Sequence, residues 1–253
     1  MNTLQYFLRR IFVSIIVFFG VSIVIFCLAR LIPGDPARIA LGPFATDEMV
    51  EQLRETLHLN ESIFIQYGIF IEKLFQGDLG ISTYTKRPVL VDIVSYFPAT
   101  FELVLMSGLL MILIGMPLGI LSGKFKNSII DNVARLISLL GVVTPSFLWA
   151  IILMLIFAFW FPILPVSERM NEALDPPTLV TGLLLVDSLL EGNFKVFGDA
   201  FLHLILPGLA IALPAIGNVA RLTRTNLSDV YEKQYIEFAK SYSFSEYRIA
   251  TKY

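Results

Sequence analysis

Few titratable side chains stand where they could do chemistry. The two histidines are far apart, His58 in an acidic stretch and His203 near the end of an apolar run. We interpret both as contact residues rather than metal ligands. Glu102, the carboxylate nearest to an apolar run, is either an intramembrane ion site or an acid in the first turn of a helix. We favour the second interpretation, because the helix dipole stabilises negative charge there.

Sequence motifs that bind cofactors or nucleotides are missing. There is no His-Glu-x-x-His, no Gly-x-Ser-x-Gly and no Gly-x-x-x-x-Gly-Lys. The single cysteine, Cys27, excludes an intrachain disulfide and a cysteine metal cluster. The sequence therefore predicts a protein that is not an enzyme, has no cofactor, and takes its energy from a partner or an ion gradient. The scarcity of carboxylates in the apolar runs argues against the gradient.

The composition predicts that most of the chain lies in a lipid bilayer. Of 253 residues, 56% are hydrophobic and 16% are charged, and the mean hydropathy is +0.73. Soluble domains carry about a quarter charged residues, and the net charge of −2 gives no reason to expect nucleic-acid binding. Because a span needs about 20 apolar residues, we predict an all-α, polytopic transmembrane helical bundle with spans at residues 11–29, 103–123, 136–166 and 200–220.

The basic residues predict how this bundle is oriented. Arginine and lysine are densest in the short segments on one side of the predicted spans, which places the N-terminus in the cytoplasm. In the outer segment, Asp35 before Pro36 and Thr46 before two acids are typical helix N-caps. We therefore predict a cytoplasmic N-terminus at 1–10, a first span at 11–29, an extracytoplasmic helical loop at 30–98, the core spans at 99–225 with an extracytoplasmic loop at 167–199, and a cytoplasmic loop at 226–253.

Two further patterns predict contacts. Gly115, Gly119 and Gly123 form overlapping small-xxx-small patterns, which let membrane helices approach closely. Residues 229–240 are polar and amphipathic enough to leave the membrane. A helix–turn–helix there would present a short rigid surface to the groove of a partner.

Several short motifs, in order along the chain, resemble those of the permease subunits of the dipeptide, oligopeptide and nickel ABC importers. They include Tyr6-Phe-Leu-Arg-Arg10, Arg30-Leu-Ile-Pro-Gly-Asp-Pro-Ala37, Pro98-Ala-Thr-Phe-Glu-Leu103, Thr144-Pro-Ser-Phe147 and Arg221-Leu-Thr-Arg-Thr225. The resemblance extends to about residue 246. It implies a multi-pass permease of the plasma or inner membrane that imports peptides, or related small solutes such as nickel complexes.

The resemblance also implies partners and functional residues. Such permeases pair with a homologous permease subunit, here expected as a heterodimer. They bind two cytoplasmic ABC ATPase subunits and receive substrate from an extracytoplasmic solute-binding protein. Arg221 and Arg224 are expected to anchor the coupling segment at the membrane interface. The residues expected to contact the ATPase are Asp229, Gln234, Glu237, Ala239, Ser243 and Glu246. Candidates for the translocation path are Thr144, Pro145, Ser146 and Asn218, for which helix packing is an equally good interpretation.

The sequence departs from the family pattern at two places. Ser243 stands where the family has a glycine, and the sequence ends at Tyr253, inside the expected second coupling helix. The sequence therefore predicts four spans where the family has six, a C-terminal truncation. The alternative function is a truncated, non-transporting remnant or decoy subunit that pairs with a full-length permease.

Overall fold

The computed structural model describes residues 3–31, 34–82 and 84–242. No β-strand occurs within these ranges, where an isolated bridge joins Ile81 and Pro88. The helices are α1 Thr3–Leu31, α2 Pro36–Leu41, α3 Asp47–Thr56, α4 Ile63–Phe75, α5 Val89–Lys124, α6 Ile129–Val143, α7 Ser146–Met154 with a π-helical continuation at Leu155–Trp160, α8 Leu184–Leu190, α9 Phe194–Tyr231 and α10 Gln234–Ser241. The predicted all-helical class is confirmed.

Three of the described helices, α1, α5 and α9, are long and apolar enough to cross a membrane. The bent pair of α6 with α7 makes a fourth if it counts as one span. Of the most apolar stretch of α1, only 6% is buried within the chain, against 39% for α9. A helix that is apolar on all sides and yet uncovered needs lipid or another protein around it. The helices therefore support a multi-pass membrane protein.

The chain divides into two compact units, with the division inside α5 between Val94 and Ser95. In the first unit, the predicted helix starts are confirmed. The Asp35 carboxylate accepts a hydrogen bond from the Ala37 backbone N–H, and the Thr46 hydroxyl accepts one from the Met49 N–H. The guanidinium of Arg54, in α3, donates to Asp35 Oδ2 at 2.7 Å and so links α3 to the N-cap of α2.

The segment between α3 and α5 packs on the apolar helix of the same unit. The ring of Phe26 in α1 lies 5.4 Å from the ring of Tyr67 and 5.6 Å from that of Phe70, both in α4. The hydroxyls of Ser22 and Tyr67 are 2.8 Å apart. Because α4 has only 13 residues, it is too short to cross a bilayer, and it contacts the C-terminal part of α1 instead.

In the second unit, α9 is the central helix. Leu206 and Ala210 of α9 pack with Leu153 of α7, and Val196 and Ala200 pack with Leu184 of α8. These two clusters lie along the N-terminal half of α9. They hold the α7 and α8 segments to the same helix that carries the polar residues beyond Ala220.

Small residues bring α5 and α6 close to α9, and the small-xxx-small patterns predicted such close approach for α5. A Cβ added to Gly119 would lie 2.6 Å from the Ala220 carbonyl oxygen and 2.6 Å from the Thr223 Cβ. A Cβ added to Gly141 of α6 would lie 2.7 Å from the Leu213 carbonyl oxygen. Such separations are far below van der Waals contact, so only glycine permits these backbones to approach as they do.

Within the third predicted span, residues 136–166, the chain is not one continuous helix. The axes of α6 and α7 differ by 109°. Thr144, the C-cap of α6, has an extended backbone with ψ 124°, and Pro145 follows it. A residue before proline disfavours the α conformation, which gives the local reason for the break at this point.

Two predicted segment boundaries also differ from the helix ends. Helix α5 begins at Val89, inside the loop predicted at 30–98, and α9 continues to Tyr231, inside the loop predicted from 226. One consequence corrects the interpretation of Glu102. It is a mid-helix residue of α5 rather than an acid in the first turn, so the helix dipole does not explain it.

Candidate functional site

The polar residues after Ala220 continue the apolar helix without a break. Helix α9 runs through Arg221, Arg224 and Asp229 to Tyr231, and a short turn at Glu232 and Lys233 leads into α10. A continuous helix transmits displacement along its axis more directly than a flexible linker would. Any force on α10 is therefore applied to the end of the central helix of the unit.

Helix α10 has one buried and one exposed side. Ile236 is completely buried, whereas Tyr235, Phe238 and Tyr242 are 48%, 64% and 64% exposed. The rings of Phe238 and Tyr242 are 4.6 Å apart. We call Tyr235, Phe238 and Tyr242 the α10 aromatic face. Exposed aromatic clusters of this kind are typical of protein interfaces.

A buried ion pair joins α9 to the start of α6. The Asp131 carboxylate is completely buried and accepts hydrogen bonds from Arg224 Nε at 2.6 Å and Arg224 Nη2 at 2.9 Å. It also accepts from the Ser122 hydroxyl at 2.6 Å and the Asn127 backbone N–H at 2.9 Å. We call these four residues the Asp131 clasp. It connects α5, the α5–α6 turn, α6 and α9 through one carboxylate.

A second ion pair lies near the start of α10. The Lys126 ammonium, in the α5–α6 turn, donates to Glu232 Oε1 at 2.7 Å, and Glu232 is the C-cap of α9. The hydrogen bond from Lys126 lowers the pKa of Glu232. Both partners are well exposed, so this pair contributes little to stability. It does show that the α5–α6 turn and the α9–α10 turn are neighbours.

A groove of about 470 Å³ lies between α6 and α9, next to the clasp. We call it the α6–α9 groove. Its wall is mostly apolar and its polar residues include three arginines. The lining residues are Ser122, Ala134, Arg135, Ser138, Leu139, Val142, Gly217, Ala220, Arg221, Arg224 and Thr225.

Two family profiles match the chain and together cover most of it. Residues 115–253 match the family described as the binding-protein-dependent transport system inner membrane component, and residues 3–104 match the N-terminal region of such membrane components. The chain belongs to this permease family. Its profile covers every element that builds the Asp131 clasp and α10 except the N-terminal part of α5.

Three curated relatives are peptide permeases by name. The chain is 41% identical to the probable D,D-dipeptide transport system permease protein DdpB of Escherichia coli (strain K12), over 92% of this chain and 68% of that protein. It is 37% identical to the dipeptide transport system permease protein DppB of Alkalihalophilus pseudofirmus, over 92% and 70%. It is 31% identical to the oligopeptide transport system permease protein AppB of Bacillus subtilis, over 98% and 73%.

For this permease, the structure places four of the six predicted coupling residues on two helices. Asp229 is exposed on the last turns of α9, and Gln234 is exposed at the start of α10. Glu237 and Ala239 have their backbones in α10, and their side chains fall outside what the structure describes. Ser243 and Glu246 lie outside the described residues. The residues that the sequence reasoning missed are the exposed aromatic side chains.

The two predicted anchors have different environments. Arg224 is the cation of the Asp131 clasp, so it binds within the chain. Arg221 is exposed and donates to the side-chain oxygen of Asn218 at 3.2 Å. Asp131 itself was missed, although an aspartate three residues after Ser128 is a recognisable helix start. Its partner lies 93 residues away, and nothing local identifies it.

The four candidates for the translocation path do not line the α6–α9 groove. Thr144, Pro145 and Ser146 make the bend between α6 and α7, with Thr144 half-buried and the other two exposed. Asn218 is exposed on α9, where its amide donates to the Pro214 carbonyl at 3.2 Å. Among the described residues that line the α6–α9 groove, none is one of these four.

A second buried carboxylate forms hydrogen bonds near the N-terminal end of α9. Glu102, only 6% exposed, accepts from Arg169 Nη2 at 2.9 Å and from the Leu185 backbone N–H at 2.6 Å. Asp187 nearby is also buried. Burial acts to raise the pKa of Asp187, but hydrogen bonds from the Thr181 hydroxyl and from three backbone N–H groups lower it overall. The contacts of Glu102 position the segment 167–193 against α5, whereas the hydrogen bonds of Asp187 join residues within that segment.

Proposed function

We propose that this chain is the membrane-spanning permease subunit of an ATP-driven importer of peptides. Family membership supports the transporter role, and the names of the relatives support peptides as the substrate class. The observation that carries the proposal is the α10 aromatic face, an exposed apolar surface at the end of the central helix. A surface of this kind suits a docking partner that pushes or pulls on α9.

The partners follow from the same proposal. Two cytoplasmic ATPase subunits hydrolyse ATP and bind α10. A homologous permease subunit, in a heterodimer, covers apolar helix surface that this chain leaves open. An extracytoplasmic solute-binding protein delivers the peptide to the side that carries α2, α3 and α4. The N-terminus and α10 then both lie in the cytoplasm, as the basic residues predict.

In this proposal, the Asp131 clasp carries motion from α10 to the bend. Displacement of α10 moves α9, and the clasp makes the start of α6 move with it. Helix α6 ends at Val143, and the extended Thr144 with Pro145 after it acts as the hinge. Thr144, Pro145, Ser146 and Asn218 then border the path that opens and closes. Arg221 stays at the membrane interface as an anchor.

The test is replacement of Phe238 with glutamate. Phe238 is 64% exposed, so its replacement leaves the packing of the chain intact but puts a charge in the docking surface. Burying an unpaired charge in an interface costs several kcal/mol, and the loss of an interface hot spot costs about 2 kcal/mol or more. We expect co-purification of the ATPase subunits to fall at least about 30-fold.

The matched control is Phe64→Glu. Phe64 is 86% exposed on α4, in the other unit, so the same charge appears on a surface that the ATPase does not contact. ATPase subunits would be identified by their Walker A sequence and quantified against the tagged permease. Equal recovery with Phe238→Glu and Phe64→Glu would overturn the assignment of α10 as the docking helix.

A further inference from the structure

The α6–α9 groove carries an excess of positive charge. Arg135, Arg221 and Arg224 line it, and Asp131, the carboxylate next to Arg135 and Arg224, is fully buried. Arg224 binds that carboxylate through two hydrogen bonds, whereas Arg135 Nε lies 3.6 Å from it, beyond hydrogen-bond distance. Two of the three guanidinium groups therefore lie near the one carboxylate and Arg221 binds a neutral amide, so the groove keeps a net positive charge.

Two of these guanidinium groups are held in place by neutral partners. Arg221 donates to the side-chain oxygen of Asn218, and Arg135 donates to that of Asn132, each one turn earlier on the same helix. An amide oxygen orients a guanidinium without neutralising it. Both arginines are exposed, so the groove presents two oriented guanidinium groups that can bind an anion.

Apart from the arginines, the polar side chains that line the groove are Ser122, Ser138 and Thr225, whose hydroxyls already donate to oxygens of the chain, and the remaining lining is apolar. Leu139 and Val142 of α6 continue the wall beyond Arg135, and Gly217 and Ala220 of α9 leave room opposite them. From Arg135 to Val142, α6 rises about 10 Å, which is room for a substantial part of an acyl chain. A cavity with a basic end and an apolar wall matches an amphiphile with an anionic head.

The lining discriminates against a peptide. A peptide carries an ammonium group as well as a carboxylate, and the ammonium needs an anionic or carbonyl partner when it leaves water. Among the described residues that line the groove, no side chain is anionic. A small inorganic anion would leave the apolar wall unused. An anionic phospholipid offers a negative charge to the arginines and an acyl chain to the apolar wall.

We propose that the α6–α9 groove binds one anionic phospholipid, with the phosphate against Arg135 and Arg221 and an acyl chain along Leu139 and Val142. Basic pockets between membrane helices are known to hold anionic headgroups. The proposal requires only that the chain spans a membrane. It does not depend on the transported substrate. A bound lipid would brace α6 against α9 beside the Asp131 clasp.

The experiment uses the complete transporter, purified in detergent and exchanged into nanodiscs of phosphatidylcholine with or without phosphatidylglycerol. Lipid that remains bound after release into the gas phase is counted by native mass spectrometry. We expect one phosphatidylglycerol per copy of this chain. Each arginine near an anionic lipid contributes about five-fold in affinity, so Arg135→Gln with Arg221→Gln should weaken retention about 30-fold.

Two further variants separate the site from general charge and from misfolding. Arg9→Gln with Arg10→Gln removes the same charge from exposed positions on α1 and should leave retention unchanged. Leu139→Trp fills the apolar wall without changing charge and should also abolish retention. The thermal unfolding of each variant in phosphatidylcholine confirms that it is folded.

Other occupants would give different results. Displacement of the lipid by glycerol phosphate alone would mean a free-anion site, and displacement by a dipeptide would mean a substrate site. No retained phosphatidylglycerol would mean that the groove is covered by another protein segment in the assembled transporter. Equal loss from the Arg135/Arg221 and the Arg9/Arg10 variants would mean nonspecific charge attraction. Each of these outcomes overturns the proposal.

Discussion

Replacing Arg224 with methionine would leave the Asp131 carboxylate buried without its cation. Asp131 is completely buried, and Arg224 supplies two of its hydrogen bonds, at 2.6 and 2.9 Å. Ser122 and Asn127 would remain as donors, so the charge would be partly solvated by the protein. Methionine keeps most of the aliphatic stem of Arg224, so the change isolates the guanidinium.

Removal of one member of a buried ion pair costs about 3–5 kcal/mol. The remaining donors to Asp131 favour the lower end, about 3 kcal/mol. For a chain of this size, each kcal/mol shifts Tm by about 2–4 °C, which gives a decrease of about 6–12 °C. The partner substitution, Asp131→Asn, should cost less, because Arg224 is 21% exposed and can turn towards water.

The double variant makes the prediction specific to the pair. With Asp131→Asn and Arg224→Met together, no charge is buried, and the introduced amide oxygen can still accept from the Ser122 hydroxyl. The double variant should therefore lose about 2 kcal/mol less than the sum of the single variants. The assay is thermal unfolding in a zwitterionic detergent, followed by circular dichroism or by a fluorescent thiol label on Cys27.

The control is Arg221→Met, one turn earlier on α9. Arg221 is exposed and donates to Asn218, so its replacement should change stability by at most about 0.5 kcal/mol. If Arg224→Met were no more damaging than Arg221→Met, or if the double variant were additive, the clasp would not hold α6 to α9. The proposed transfer of motion from α10 to the bend would then lose its basis.

Three other perturbations test the packing of the second unit in the same unfolding assay. Gly119→Ala should cost about 1–3 kcal/mol because its Cβ would lie 2.6 Å from two atoms of α9, whereas Gly108→Ala, with open space around it, should be tolerated. Glu102→Ala should cost about 2 kcal/mol, because the Leu185 N–H loses its acceptor, and should speed amide exchange in residues 167–193. Asp187 has a lowered pKa, so its carboxylate stabilises the fold above about pH 4. Asp187→Asn should therefore destabilise most at neutral pH, and its difference from wild type should shrink as the pH falls below about 4; a difference independent of pH would contradict this.

The spans and the helix starts could be predicted because they depend on neighbouring residues. A run of about 20 apolar residues is long enough for a bilayer wherever it occurs. The caps at Asp35 and Thr46 use side chains within three residues of the N–H groups they bind. The spacing of Gly115, Gly119 and Gly123 likewise predicted a close contact between helices at Gly119. It did not predict that the partner helix would be α9.

The prolines have different effects at different positions in this chain. Pro98 and Pro117 lie inside α5, and Pro207 and Pro214 lie inside α9, all without ending the helix. Pro145 stands at a bend of 109°. The residue type is the same in each case, so the presence of a proline does not by itself decide whether a helix continues or bends. The sequence predicted one apolar span over residues 136–166, but it did not indicate that two helices within it would meet at 109°.

The sequence by itself determined the all-helical membrane class, the apolar runs and the capped helices, since each follows from residues close together in the chain. Only the tertiary structure decided that Arg224 binds Asp131, and that Glu102 binds Arg169 from the middle of a helix rather than from its first turn. These pairs are separated by 93 and 67 residues. A buried charge pairs with the opposite charge that the fold brings next to it, away from water. The order of the residues along the chain does not show which residue that is.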